Sequence, residues 1–385
     1  MNYIAKTFQG LEEILAKELT DLGAQNVQAG NRVVFFEGDQ KVLYRSNLEC
    51  YTALRILQPI REFSATTEEQ LYEGIGEVRW SDHFREDQTF AIDSVCYSDY
   101  FQHSRYVTQK SKDAIVDQFR EDFGIRPDVD VKNPWVRVHV HIQGTQVSVS
   151  LETSGESLHR RGYRLKGRMA PINEVLAAGM VLLSNWDGNT PLVDLTCGSG
   201  TICIEAAKIA QGIPSLSKTR TFGFQRFTDF DADLWDEIRT AAHKPKSDCP
   251  SIIGCDIDPQ TIDAAKRNAR NAQLPNNVKF VKRRFQDFVP TEGPGVIICN
   301  PPYDERLQHQ DIFELYKELG DCFKKNFQGW TAWVISSNIK ALKRVGLKAS
   351  RRIPLFNGPL ECRLYKFEMY AGSRRTKHQE DKTIS

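Results

Sequence analysis

A short apolar run, Gly295-Val296-Ile297-Ile298-Cys299, stops at Asn300-Pro301-Pro302-Tyr303. Bounded by glycine and proline, the run has the pattern of a strand buried on both faces, which belongs to a parallel sheet flanked by helices. Open α/β sheets bind ligands at the carboxyl ends of their strands, where these four residues fall. Their chemistry suits a flat base bearing an exocyclic amine. The Asn300 side-chain oxygen and the Pro301 carbonyl can each accept one amine hydrogen. Pro301 and Pro302 stiffen the backbone that carries those acceptors, and the Tyr303 ring offers a face for a flipped base. Taken alone, the tetrapeptide is equally a turn, because Asn-Pro is a turn dipeptide.

The flanking chain repeats the α/β pattern. Asn173 to Asn185 reads as a helix, then Pro191 to Leu195 as a strand running into Thr196-Cys197-Gly198-Ser199-Gly200-Thr201 and an apolar helix, Ile202 to Ala210. Strand, glycine turn and helix make a nucleotide-binding element. The turn lacks both Gly-x-Gly-x-x-Gly and Gly-Lys-Ser/Thr, so a pyrophosphate or triphosphate is not its natural guest. Asp194, at the strand end, can accept from an amino group. Ser251 to Asp256 is the next strand, and its terminal acid is suited to ribose hydroxyls. Val278 to Val281 is a third, leading to Gln286, Asp287 and Phe288. After the Asn300 strand come Trp330 to Ile335 and a terminal hairpin, Lys348 to Pro354 with Glu361 to Phe367. Residues 212–250 read as an insertion.

The N-terminal half reads differently. Residues 1–64 show strands at Tyr3–Ala5 and Arg32–Phe36, with helices over Leu11–Leu19 and Leu43–Leu57, a ferredoxin-like order. Residues 65–154 show a strand from Phe90, a helix from Thr108 to Phe123 ended by Gly124, and a hairpin, Val136–Val140 with Val147–Leu151. Alternation puts Arg137, His139 and His141 on one strand face. His-x-His without a further ligand is a weak metal signal, and a solvated or RNA-facing surface is the expectation. Residues 155–172 form a basic linker in which Arg160, Arg161, Arg164, Lys166, Arg168 and Tyr163 are interleaved, a pattern suited to phosphates and one base.

Composition sets the remaining bounds. The 385 residues allow two or three domains. No apolar run approaches the roughly 18 residues of a membrane span, and no secretory signal is evident at the start. Nine cysteines without a Cys-x-x-Cys pair argue against a zinc ribbon and suggest a reducing, cytoplasmic setting. Net charge is only +1, so any polyanion must be met by local patches. Two stretches qualify: Glu156 to Arg168, and the chain from Lys340 onward, whose end from His378 reads as a disordered tail.

In order, Asp194 with Gly198-Ser199-Gly200, Asp256, Asp287-Phe288 and Asn300-Pro301-Pro302-Tyr303 resemble the class I S-adenosylmethionine-dependent methyltransferases that act on amino groups. The N-terminal half is similar to the ferredoxin-like plus THUMP arrangement of RNA-modifying enzymes. The segment Ser154 to Arg164 and the insert Phe222-Gly223-Phe224 resemble the N-terminal half of the bifunctional bacterial 23S rRNA guanine-N2 methyltransferases, whose second methyltransferase is absent here. The resemblance implies a Rossmann-like, mostly parallel seven-stranded sheet over residues 173–385. It implies that Asp194, Thr196, Cys197, Gly198, Ser199, Gly200 and Thr201 hold the methionine end of the cofactor. Asp256, Ile257 and Asp258 would take the ribose, Gln286, Asp287 and Phe288 the adenine, and Asn300 to Tyr303 the base, with Asn300 also among the cofactor contacts. It calls for no catalytic metal. The substrate it implies is 23S rRNA. tRNA guanine-N2 or adenine-N6 methylation, and an RNA-binding protein with an inactive site, are the alternatives.

Overall fold

A computed structural model describes residues 1–164, 172–217, 219–242, 249–274, 277–302 and 309–370. Tyr303, Lys166, Arg168 and the tail from His378 lie outside the described residues. The chain divides into two compact units: Met1–Thr7, Leu15–Leu158 and Lys218–Ala241 in one, Phe8–Ile14, His159–Ser217 and Ala242–Ser385 in the other.

The first unit begins β1 (Asn2–Lys6), α1 (Glu12–Asp21), β2 (Gln25–Gly30), β3 (Val33–Glu37), α2 (Gln40–Glu49) and β4 (Arg55–Ser64). It continues with α3 (Glu68–Gly76), β5 (Phe90–Tyr97), α4 (Ser104–Phe123), β6 (Val136–Gln143) and β7 (Gln146–Glu152). The strands of residues 1–64 and 65–154 join one seven-stranded sheet, in the order β2-β3-β1-β4-β7-β6-β5. The join is β4, which pairs β1 on one side and β7 on the other.

That role explains the misread segment Leu43–Leu57. The helix α2 stops at Glu49, and Ile56 and Leu57 pair with Ala5 and Ile4 instead. Pro59 is tolerated in β4 because the register shifts between Pro59 and Arg61, where the ladder is already irregular. The even-numbered valines of β6, from Val136 to Val140, face a core with Ile115 and Phe119 of α4. Gly124 closes α4 with φ 68°, a conformation other residues seldom adopt.

The second unit carries α5 (Glu174–Leu183), β8 (Leu192–Asp194), α6 (Thr201–Gln211), then α7 (Ala232–Ala241), which groups with the first unit. It resumes with β9 (Ile252–Asp256), α8 (Pro259–Asn271), β10 (Val278–Lys282), β11 (Val296–Cys299), α9 (His309–Asn326), β12 (Thr331–Ser336), α10 (Ile339–Leu342), β13 (Arg351–Asn357) and β14 (Leu360–Glu368). The sheet order is β10-β9-β8-β11-β12-β14-β13. Its ladders are parallel from β10 through β12, and β14 is antiparallel to both neighbours. This is the doubly wound, mostly parallel sheet expected. No helix among the described residues is long and apolar enough to cross a membrane.

The insertion departs from expectation. Its described residues from 219 to Ala241 belong to the first unit rather than to the domain whose sequence they interrupt. Phe224 stacks on Tyr44 at 4.4 Å, and Phe222 and Trp235 complete an aromatic cluster. Gly223 is required there, since a Cβ would lie 2.4 Å from the Glu152 carbonyl oxygen. The Phe224 N–H donates to the Thr153 carbonyl at 2.9 Å. Emptying a fully buried phenylalanine site costs about 3–5 kcal/mol. Phe224→Ala should lower the urea midpoint of the first unit by a corresponding amount. A change worth under about 1 kcal/mol, far below that range, would show that the insertion is not part of its core.

Candidate active site

Parallel register brings the site together. Asp194 ends β8 opposite Gly254 of β9, and Ile297 of β11 pairs with Val193 on the other side. The carboxyl ends of β8, β9 and β11 therefore lie side by side, carrying the Asp194 turn, Asp256 and Asn300.

The glycine turn is tightly braced. Gly198 and Gly200 have φ of 52° and 84°, and Gly200 opens α6. A Cβ on Gly200 would meet the Phe280 ring at 2.8 Å, and one on Gly254 would meet the same ring at 2.7 Å. The Gly198 N–H donates to Asp256 Oδ2 at 3.1 Å, and Asn268 Nδ2 donates to the Ser199 carbonyl at 3.0 Å. The Cys197 N–H donates to the Cys255 carbonyl at 2.9 Å.

The two acids have different surroundings. Asp194 is buried and accepts the Thr196 N–H at 3.1 Å. Burial pushes its carboxyl up to about 8; the Thr196 hydrogen bond opposes the shift and the charge of Asp256 adds to it. Asp256 is partly exposed, and each of its oxygens takes a backbone N–H, from Gly198 and Asp258. Beside it Ile257 is 65% exposed, an apolar surface at the strand tip.

Of the buried oxygens that have no hydrogen-bond partner among the described residues, three are Thr196 Oγ1, Ser199 Oγ and Asn300 Oδ1. Buried polar atoms left unpaired are costly and uncommon. All three lie in loops at the carboxyl edge of the sheet, so a ligand rich in donors and hydroxyls fits there. Pro301 is buried and Pro302 exposed.

Other anticipated residues are placed differently. Asp258 is the N-cap of α8, accepting from the Gln260 N–H at 2.9 Å and from Thr261 Oγ1 at 2.7 Å, so its carboxylate serves the helix. Phe288 is in the core, parallel to Phe327 at 6.1 Å, rather than framing a ligand with its ring. Asp287 is exposed. Gln286 Nε2 donates to Glu318 Oε2 at 2.5 Å, which orients the Gln286 amide. Glu318 was not foreseen, because nothing local marks it on the amphipathic helix α9; Asn268 and Phe280 were missed for the same reason.

The basic linker is corrected most. Arg161 and Tyr163 are buried, not presented to RNA. The Tyr163 hydroxyl donates to Glu205 Oε1 at 2.8 Å, and Arg161 pairs with Glu205 Oε2 at 3.6 Å. Arg164 pairs with Glu174 at 3.2 Å. Five charged or phenolic groups are thus paired with one another, which offsets the cost of taking them out of water. Arg160 is exposed.

In the first unit, Asp93, His139 and Glu152 offer three ligand atoms within 4.8 Å of one another. Guanidinium groups already occupy those carboxylates. Arg55 donates to Glu152, and Arg137 donates to Asp93 at 3.2 Å. His139 Nε2 lies 2.8 Å from Glu152. Burial alone would raise the Glu152 carboxyl, but the His139 hydrogen bond and the His139 and Arg55 charges bring it net below the usual range. The group is an ion-pair cluster.

Comparison with known proteins gives the family. Residues 161–366 match the RMKL-like methyltransferase domain, 65–152 the THUMP domain and 2–57 the RlmL ferredoxin-like domain. A Synechocystis protein whose name suggests an RNA methyltransferase is 38% identical over 96% of this chain and 97% of its own. The ribosomal RNA large subunit methyltransferase K/L of Syntrophotalea carbinolica is also 38% identical, over 96% of this chain and 54% of its own, so this chain spans about half of that relative. A methyltransferase solved with SAH superposes with a TM-score of 0.87 at 32% identity, covering 97% of this chain and 99% of the other. A Listeria monocytogenes structure named for N6-adenine-specific DNA methylation gives 0.86 at 32%, covering 97% and 96%. The chain belongs to the RMKL-like methyltransferase family, in the form that carries ferredoxin-like and THUMP domains ahead of the methyltransferase domain.

Proposed function

We propose that this protein methylates the exocyclic N2 amine of a guanine in 23S rRNA. The observation that carries the reading is Asn300 Oδ1, a buried acceptor at the end of β11 without a partner among the described residues. Relatives named for ribosomal RNA support the substrate, and the THUMP match supports RNA as the class. An adenine-N6 target is the second reading, favoured by the name of the Listeria neighbour.

The enzyme is a methyltransferase and its cofactor is S-adenosylmethionine, which supplies an electrophilic methyl group on a sulfonium. The unpaired Thr196 and Ser199 hydroxyls, Asp194 and the glycine turn are the groups that would hold its methionine end. Asp256 and Ile257 would serve the ribose side, and Gln286, oriented by Glu318, and Asp287 the adenine. Asn300 Oδ1 and the Pro301 carbonyl would accept the two amine hydrogens. A guanine amine is a poor nucleophile because its lone pair is delocalised into the ring. Holding both hydrogens directs that lone pair toward the methyl group, and alignment does most of the catalysis. The proton can leave after attack, so no general base is required beforehand. Arg160 remains a proposed RNA contact.

Methyl transfer to 23S rRNA and tRNA from cells lacking the gene, followed by nucleoside analysis, tests the substrate. N2-methylguanosine in 23S rRNA is expected; label in tRNA or as N6-methyladenosine would replace it. Asn300→Ala should lower kcat on the order of a hundredfold or more, as loss of a preorganised polar group does, while cofactor binding is kept. Undiminished turnover would remove Asn300 from base holding. The pH behaviour of Asp194 gives an independent check. Unfolded, its carboxyl loses its proton near 4; folded, it keeps it to about 8. Across that interval the folded state binds more protons, so this group's contribution to stability falls as pH rises. In cofactor-free protein, Asp194→Asn should therefore gain stability relative to wild type between pH 5 and pH 8. A pH-independent difference would mean that Asp194 ionises normally.

A further inference from the structure

The four residues from Arg161 to Arg164 form a strap across the helices of the catalytic unit. The Tyr163 hydroxyl reaches Glu205 in α6, and the Tyr163 carbonyl accepts from Asn271 Nδ2 at the end of α8 at 3.0 Å. Arg164 makes the strap's bond to the cofactor turn. Its Nη2 donates to Thr201 Oγ1 at 2.8 Å and to the Ile172 carbonyl at 3.0 Å, while Nη1 pairs with Glu174 Oε1 of α5 at 3.2 Å.

Thr201 is buried and is the first residue of α6, directly after Gly200. A helix start is ordinarily pinned by an N-cap side chain. Gly200 has none, and no side-chain cap is made. The guanidinium cannot accept from the free N–H groups, but by donating to Thr201 Oγ1 it ties the helix start from outside the turn. Its planar fork can engage Thr201 and Glu174 at once, which a lysine ammonium on one stem does less well.

We propose that Arg164 is a positioning residue for the cofactor turn: through Thr201 Oγ1 it fixes the start of α6 and thereby sets affinity for S-adenosylmethionine. The inference rests on the cofactor reading above. The competing role is a countercharge for the buried Glu174, whose carboxyl burial raises and Arg164 lowers. The two roles separate experimentally, because Glu174→Gln removes the ion pair and leaves the Thr201 bond in place.

The test is a double-mutant cycle in the full chain, read as the S-adenosylmethionine dissociation constant by calorimetry. Arg164→Met and Thr201→Val should each weaken binding roughly tenfold, the scale of one charge-assisted hydrogen bond. The double variant should be no worse than either single one, since both remove the same contact. Glu174→Gln should lower Tm and leave the dissociation constant within about twofold, a difference too small to come from such a bond. Steady-state losses should fall on KM for the cofactor and not on KM for RNA. Additive losses, an unchanged constant in Thr201→Val, or a Glu174→Gln loss as large as that of Arg164→Met would each overturn the proposal. Should Arg164→Met not fold, Arg164→Lys takes its place in the cycle with the same expectations of sign. Wild-type protein that binds no S-adenosylmethionine would instead sink the cofactor reading, and this inference with it.

Discussion

The packing of the Phe280 ring beneath two glycines holds the second unit's site in shape. Gly200 and Gly254 come from different segments, yet both need to lack a side chain for the same ring to fit. The ring seats the glycine turn of α6 close to the tip of β9. That closeness lets the Gly198 N–H reach Asp256 at 3.1 Å. Close packing of this kind transmits small displacements, because interiors have little free volume to absorb them. A methyl group at either glycine would separate the two strand ends that the site needs adjacent.

Neighbouring acids in this frame have different surroundings. Asp194 has one backbone donor and no solvent, and holds its proton to about 8. Asp256 has two backbone donors and partial exposure. Desolvation outweighs the single backbone hydrogen bond in raising Asp194. This puts a proton-holding carboxyl and a solvated one at adjacent strand ends. The unpaired Thr196, Ser199 and Asn300 oxygens stand around them. Polar atoms stranded in this way conflict with stability alone, and such conflicts concentrate where a protein binds something.

In the first unit, β4 serves two partners and merges what would be two small sheets. Small α/β units bury little surface by themselves. Joining them gives one continuous sheet, and the insertion adds Phe222, Phe224 and Trp235 around Tyr44. The insertion thus helps stabilise a unit far from it in sequence.

Much of this was legible in the amino-acid order. Strand positions, the glycine turn before α6, the stop at Gly124 and the acids at strand tips all follow from local signals: apolar periodicity, backbone freedom at glycine and the rigidity of proline. What locality does not encode is which neighbour a polar side chain meets. Arg161 and Tyr163 look like an RNA-binding stretch, but both turn inward to Glu205, 42 residues beyond Tyr163. Leu43–Leu57 has helical spacing throughout, yet pairing with β1 takes its last residues as a strand. Asp258 looks like a ligand contact and caps a helix. The sequence by itself determined the α/β order and the chemistry available at the strand ends. Tertiary structure alone decided which charges are buried, which sheet β4 completes and where the insertion docks, because burial and pairing depend on residues distant along the chain.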